Sequence, residues 1–527
     1  MTADAAPIAD GDGAGLGEVT RRLSVIRGQV VRGDDLATQR QRDKGKHTAR
    51  DRLARLLDEG SFTELDLFRR CPTPVAGLNG QPHTDGVIAG SGTIGGRRVF
   101  VYAQDFRVFG GSLGEAHAAK IHKVMDLALT AGAPLIGLND SGGARIQEGV
   151  TALAGYGGIF SRHVRASGVI PQISVILGPC AGGAAYSPAL ADFVFMVRDT
   201  SYMFLTGPDV IKSVTGESIS QDDLGGARVH ATRSGVASFA YDDEGSCLDA
   251  VRHLVSLLPA SHREPPPAIA ADDPPERACP RLLDIVPRNP RKAYDMRQVI
   301  AEIADHGEFM EVHERWARSI VCALTRLGGH TVGIVGNQPR IRAGVLDIDA
   351  SDKAARFIRF CDAFGIPLVT LVDVPGFLPG VGQEHQGVIR HGAKLLFAYC
   401  DASVPRIQVI VRKAYGGAYI VMDSRSVGAD VSFAWPVNEI AVMGAEAAVG
   451  VINRKEIAAA EEPERLRERL IAEYRERLMH PFYAAERGLV DDVIDPSQTR
   501  AAVWRALEML RGKRPEVSRR KHGNPPV

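Results

Sequence analysis

Residues 178–190 read GPCAGGAAYSPAL, and residues 412–424 read RKAYGGAYIVMDS. Each stretch follows a β-branched run, at 170–177 and 404–411, and carries Gly-Gly-Ala where a strand would turn into a helix. Two glycines at such a place let a ligand oxygen approach the backbone and leave free N–H groups at the start of a helix. Free N–H groups of this kind can hold a developing oxyanion. One copy would be weak evidence. Two copies in matching halves point to two oxyanion sites, and so to a group passed between two carbonyl compounds.

The repeat extends beyond the glycines. At an offset of 233, Gly111, Leu113, Lys120, Gly132, Pro134, Asp140 and Gly149 meet Gly344, Leu346, Lys353, Gly365, Pro367, Asp373 and Gly382. After a one-residue slip, Pro171, Ile173, Val175, Gly182, Gly183 and Ala184 meet Pro405, Ile407, Val409, Gly416, Gly417 and Ala418. Only two copies exist, so the pattern is a duplicated domain and not a solenoid. Within each copy the order strand, turn, helix, strand indicates βαβ units and an α/β fold.

The spacing predicts helices over 17–32, 48–57 and 115–131, and a hairpin over 87–101 around Gly95-Gly96. It predicts strands at 134–139, 330–335 and 368–372, and a charged amphipathic helix over 461–478 with Leu466, Leu470, Tyr474 and Leu478 on one stripe. Residues 1–18 are small, acidic and rich in Gly and Ala, without the basic start and apolar core of a signal peptide, and read as a disordered tail. The two domains are placed at 19–262 and 286–527. The Pro-rich, acidic segment between them, 263–285, reads as a linker.

At 527 residues each half is long enough for its own core. Lys+Arg and Asp+Glu both number 63, so net charge favours neither nucleic acid nor an anionic membrane. No apolar run approaches the roughly 18 residues needed to span a bilayer. A cytoplasmic protein is the expectation. The seven cysteines include no Cys-x-x-Cys pair, which argues against a zinc ribbon, and no metal is expected on the chain.

Several side chains are candidates with a blander role beside the chemical one. Cys180 adjoins the first glycine pair, but no base is evident nearby and packing is the favoured role. Asp140 and Asp373 could be acids, with capping of the next turn favoured. Lys120 and Lys353 read equally as partners for phosphate and as solvated lysines on a helix face. Gly142 and Gly143 could line a site or only make a turn. Tyr156 and Tyr186 read as packing or pocket wall. His163 and His391 show no metal-ligand spacing.

Longer stretches carry a resemblance. DFRVFGGSLGEAHAAKI (105–121), SGGARIQEGV (141–150), GVLDIDASDKAARFIRFCDAFGIPL (344–368), DVPGFLPGVGQEHQGVIRHGAKLLFAY (373–399) and AYGGAYIVM (414–422) resemble the β, carboxyltransferase subunits of biotin-dependent acyl-CoA carboxylases. The nearest types are propionyl-CoA and actinobacterial acetyl/propionyl-CoA carboxylases. HTARDRLARLLDEGSF (47–62) and RKHGN (520–524) fit the same family, so the likeness runs over about residues 17–527.

The resemblance implies two tandem crotonase-like domains of ββα-superhelix type, related by the internal duplication. It implies a ring-shaped homo-hexamer, a trimer of dimers, with sites between the N-terminal half of one subunit and the C-terminal half of another. The reaction implied moves CO2 from carboxybiotin to the α-carbon of a short-chain acyl-CoA, acetyl-CoA or propionyl-CoA, giving malonyl-CoA or methylmalonyl-CoA. By resemblance, Gly182 and Gly183 stabilise the thioester enolate, while Gly417 and Ala418 polarise the biotin ureido carbonyl. Gly142, Gly143, Ala144, Tyr156 and Ala181 complete the acyl-CoA side, and Gly416 the biotin side. Ile420, where propionyl-selective relatives carry aspartate, is the candidate for acyl-chain choice.

The chain has no Met-Lys-Met-like biotinylation site and no P-loop ending in Gly-Lys-Ser/Thr. Biotin is therefore expected on a separate α subunit that carries the biotin carboxylase and the biotin carrier. A decarboxylase or transcarboxylase subunit is the near alternative. A crotonase-type hydratase or isomerase using Glu148 is more distant, and an inactive scaffold would not need both glycine pairs.

Overall fold

A computed structural model describes residues 15–71, 80–290, 292–514 and 520–526. The chain divides into two compact units at residue 263. The first holds the described residues up to Ser256 together with Ala260–Arg263; the second holds Leu257–Pro259 and the described residues from Glu264 onward.

The first unit is built on one sheet: β1 (Thr63–Leu65), β2 (Val87–Ile94), β3 (Arg97–Gln104), β4 (Leu135–Ser141), β5 (Gln172–Ala181), β6 (Phe193–Val197), β7 (Tyr202–Phe204) and β8 (Phe239–Tyr241). The order is β1-β2-β3-β4-β5-β6-β8, with β7 added on β5. The second unit repeats it with β9 (Phe309–Val312), β10 (Ile320–Leu327), β11 (His330–Asn337), β12 (Leu368–Val374), β13 (Arg406–Tyr415), β14 (Val431–Ala434), β15 (Glu439–Ala441) and β16 (Asp492–Val493). Its order is β9-β10-β11-β12-β13-β14-β16, with β15 on β13, so strand n of the first sheet matches strand n+8 of the second. The first two pairings of each sheet are antiparallel and the rest parallel. Parallel strands covered on both faces bury both sets of side chains; every residue of β4, β6 and β12 is buried, the polar Asp140 and Asp373 included.

The copies share irregularities as well as order. Pairing of β4 with β5 slips between Asn139 and Ser141, and pairing of β12 with β13 slips between Val372 and Val374. The slip falls on Asp140 in one copy and on Asp373 in the other. Helix Glu115–Ala131 packs a stripe that includes Ala116, Ile121, Val124, Met125 and Ala128; helix Ile348–Ala363 packs Ala350, Ala354, Phe357, Ile358 and Cys361. Each unit has its own core, around Leu135, Ile176 and Met196 in the first and around Ile334, Val369 and Val409 in the second.

Three expectations change. Residues 1–14 lie outside the described residues, but 16–18 are not tail, because helix Leu16–Arg32 begins there. The segment 264–285 belongs with the second unit instead of standing free. Asp273 pairs with Arg277 at 2.6 Å and lies 3.6 Å from Arg500, Cys279 and Leu282 are buried in the second core, and Leu282–Ile285 is helical. The charged helix runs from Pro463 to Tyr474 and closes in a wider turn, Arg475–Met479; its leucine stripe is half-buried.

Candidate active site

β5 changes neighbour before it ends. Ile173–Ile176 pair with β6, and Pro179–Ala181 pair with β7. The chain then turns at Gly182, whose φ of +61° is open to glycine at no steric cost. Gly182–Ala185 form one tight turn that leads into helix Tyr186–Ala189. Amides in the first turn of a helix have no acceptor inside it, and Gly182 and Gly183 open this turn.

The surroundings bring most of the expected residues together. A Cβ on Gly183 would lie 3.3 Å from the Tyr156 ring, and one on Gly143 would lie 2.9 Å from the Ala181 carbonyl oxygen. Ala144 bridges to Leu113, whose amide donates to Gly143 O at 2.9 Å. The amides of Gly142 and Gly143 are themselves engaged, by Gly110 O at 3.0 Å and Ser141 Oγ at 3.1 Å. These two amides are therefore not free to donate to a ligand.

β13 repeats the manoeuvre. Ile407–Ile410 pair with β14 and Lys413–Tyr415 with β15. Gly416 has φ +60° and starts helix Gly416–Val421, which places Gly417 and Ala418 in its first turn. The setting differs in one respect. Among the described residues, no atom outside its own turn lies within 4 Å of the place a Gly417 Cβ would take, and Gly417 is exposed where Gly183 is half-covered. Ile420 follows within the same helix and is half-buried. Exposed apolar residues flank both turns, Leu205 beside Gly182 and Val442 beside Gly416.

The charged residues at the strand ends turn out to be structural. Asp140 accepts from Lys46 Nζ at 2.7 Å, Arg52 Nη1 at 2.8 Å and Gln41 Nε2 at 3.1 Å. Arg52 also holds Glu244 and donates to Leu177 O. Asp373 accepts from Arg412 Nε at 3.0 Å and from the Lys413 amide at 3.1 Å, and the Tyr294 ring faces the Arg412 guanidinium at 4.9 Å. Burial raises the Asp373 pKa against the pull of Arg412. Both aspartates are thus buried members of ion pairs and not caps of the next turn.

The matched lysines correct a second expectation. Lys120 Nζ donates to the carbonyls of Thr84 and Val87, and Lys353 Nζ to those of His313, Trp316 and Ile320. Burial lowers the Lys120 pKa to about 8 and lowers that of Lys353 as well. Neither lysine is solvated or turned toward a phosphate.

The remaining acid–base candidates are also tied. Glu148 accepts from Arg145 Nη1 at 2.7 Å and from the Glu115 amide at 2.6 Å, so it caps helix Glu115–Ala131. Buried His163 contacts Gln172 Oε1 and Ser187 Oγ, both at 2.7 Å, and His391 contacts Asp352. The Cys180 thiol points at Ala184 O, and burial pushes its pKa up to about 12, which leaves no thiolate near neutrality. Tyr186 is exposed and meets Phe160 edge to face. Among the described residues, no three His, Cys, Asp or Glu side chains are grouped to hold a metal ion, and no helix is long and apolar enough to cross a membrane.

Residues 40–525 match the carboxyl transferase domain family. The chain is 58% identical over 488 residues to the carboxyltransferase subunit of propionyl-CoA carboxylase from Haloferax mediterranei, covering 92% of this chain and 95% of that one. It is 52% identical over 490 residues to the methylmalonyl-CoA decarboxylase subunit alpha of Propionigenium modestum, covering 93% and 95%. Among solved structures, transcarboxylase 12S, described as a hexamer with methylmalonyl-coenzyme A bound, superposes with a TM-score of 0.95 at 48% identity, covering 98% of this chain and 99% of that one.

Proposed function

We propose that this chain, which belongs to the carboxyl transferase family and is an enzyme of the biotin-dependent acyl-CoA carboxylase type, moves a carboxyl group from carboxybiotin to the α-carbon of propionyl-CoA or acetyl-CoA. One observation carries the reading: a glycine turn that opens a helical segment stands at the same strand end in each of two matching sheets. Carboxyl transfer places negative charge on two carbonyl oxygens, one on the thioester and one on the ureido group, and so calls for two such turns.

In this reading the first unit takes the acyl-CoA and the second takes biotin. Gly182 and Gly183 donate to the thioester oxygen as the enolate forms, with Gly142, Gly143, Ala144, Tyr156 and Ala181 as the wall. Gly417 and Ala418 donate to the ureido oxygen, and Gly416 makes the turn that aims them. Each preorganised donor is worth about 3 kcal/mol in the transition state. The open space over Gly417 fits a bulky ring arriving from outside. Biotin, delivered on a partner α subunit, supplies the CO2 and, once that has left, the base for the α-proton. The ties on Glu148, His163 and Cys180 agree with a chain that contributes electrostatics and shape and leaves the proton to its substrates.

The relative solved as a hexamer supports a hexamer here, and the cytoplasmic setting belongs to the same reading. The test uses the purified chain. With free biotin it should decarboxylate methylmalonyl-CoA in a biotin-dependent manner. With ATP and bicarbonate it should carboxylate propionyl-CoA only after a biotinylated α subunit is added; ATP-dependent carboxylation by the chain alone would sink the proposal. The decarboxylase relative keeps a second reading in view. A chain that runs the biotin half-reaction but never supports carboxylation with the α subunit of an acyl-CoA carboxylase would belong to that branch.

A further inference from the structure

The two glycine turns are braced by different contacts. Gly183 has the Tyr156 ring against it, whereas no described residue beyond its own turn comes within 4 Å of a Gly417 Cβ. The second turn has instead a polar group on the strand that leads into it. Tyr415, the last residue of β13, donates its hydroxyl to Glu439 Oε2. Glu439 opens β15, in register with Lys413, and Tyr415 itself pairs with Ala441. The other Glu439 oxygen lies 3.8 Å from Arg475 Nε, and Arg475 Nη2 holds Glu446 at 2.8 Å. Burial and the Glu439 carboxylate both push the Tyr415 pKa up, so the phenol stays a neutral donor.

Among its described residues the first unit has no counterpart. Ala181 stands where Tyr415 stands, and Tyr202 stands where Glu439 stands; the Tyr202 hydroxyl goes to Asp199 O at 2.7 Å. The bond is not needed to form the turn, since Gly182 and Gly416 share a φ of 61° and 60° without it in the first case. It is an addition to the half whose second glycine, Gly417, is uncovered. A donor pair stabilises an oxyanion only while its direction is fixed, and an open side gives up the packing that fixes it.

We propose that Tyr415, Glu439 and Arg475 are positioning residues for the Gly417 and Ala418 amides: their side chains tie the end of β13 to β15, while the place of a Gly417 Cβ stays clear for the ureido ring. The assignment of that ring rests on the function proposed above. Tyr415→Phe removes one oxygen and no packing volume. Assayed on the full chain with free biotin and methylmalonyl-CoA, it should lower kcat/KM for biotin about ten-fold, less than the ~10²–10³ expected for deleting a donor. The KM for methylmalonyl-CoA should not move. Glu439→Gln, which keeps an oxygen acceptor, should recover most of the activity that Glu439→Ala loses.

Peptide-level hydrogen exchange supplies a readout that does not depend on the reaction. Residues 413–424 should exchange several-fold faster in Tyr415→Phe, and residues 179–190 at the wild-type rate. Equal exchange over 413–424 in variant and wild type overturns the proposal. So does an unchanged biotin kcat/KM in an active enzyme, or an equal loss toward both substrates. A wild-type chain without biotin-dependent decarboxylation would refute the function and leave the exchange comparison to decide the positioning role.

Discussion

At the matched strand ends, Asp140 draws its cations from residues 88 and 94 positions upstream, Arg52 and Lys46, while Asp373 draws its cation from Arg412 on the adjacent strand. The position in β5 that matches Arg412 is Gly178. A Cβ there would lie 1.9 Å from Asp140 Oδ1 and 2.5 Å from Lys46 Nζ. The glycine is what lets the upstream segment reach in. An unpaired buried carboxylate costs several kcal/mol, so each copy must bring a cation to the slip in its sheet, and the two copies do so from different parts of the chain. The same division recurs at the turns, with a ring beside Gly183 and a clear space beside Gly417. The scaffold is duplicated; the means of supporting it are not.

The largest effects should come from the turns. Gly183→Pro and Gly417→Pro each delete an amide donor near a helix start, where proline is tolerated, and each should lower turnover ~10²–10³-fold. Near-normal rates in two folded variants would break the two-site scheme. Gly417→Ala sharpens the contrast: its Cβ meets no described atom beyond its own turn within 4 Å, so thermal unfolding should not fall, whereas Gly183→Ala makes the Tyr156 ring give way by a few tenths of an ångström.

Stability should separate the buried pairs next. Arg412→Met strands Asp373 and should cost about 3–5 kcal/mol in urea unfolding. Lys46→Met leaves Arg52 on Asp140 and should cost less than half as much. Equal losses would mean that the copies are supported alike. Glu148→Gln keeps an acceptor for the Glu115 amide and should cost about 1 kcal/mol in stability with kcat changed by only a few-fold. A fall of about 10³-fold or more would restore Glu148 as an acid–base group of the hydratase kind.

How far could the chain be read without its structure? The glycine pairs, the two-fold repeat and the helix from 115 to 131 follow from local patterns of period two and 3.6, and local patterns are what a single chain displays. Lys120 departs from the solvated or phosphate-facing role, although its position carries a signal. It falls between His117, Ile121 and Val124 on the apolar stripe of its helix, a position that buries its amine and obliges it to find carbonyls. The roles of Arg52 and Glu148 had no such signal, because their partners lie 88 and 33 residues away. The exchange of Gly178 for Arg412 stood in plain view inside the repeat, but it has meaning only once Lys46 and Arg52 are seen to fill the vacated volume.

The smallest expected effect concerns acyl-chain choice. Ile420 is half-buried within the helix that carries Gly417, and its counterpart in the first copy is the exposed Tyr186. Ile420→Asp should lower kcat/KM for acetyl-CoA relative to propionyl-CoA by an amount within the ~1–3 kcal/mol that one methylene can supply. An unchanged ratio would move the determinant elsewhere.

The upstream cations of Asp140 also bear on ancestry and on engineering. A gene made of two second copies would carry its own arginine in each sheet and would need no leading arm. One made of two first copies would need residues 41–52 twice, or else would leave a carboxylate stranded in its second half. The copies have therefore ceased to be exchangeable parts. Residues 41–52, which look like an approach to the first domain, act as its missing side chain, and a truncation that spares every strand but removes them should cripple that half alone.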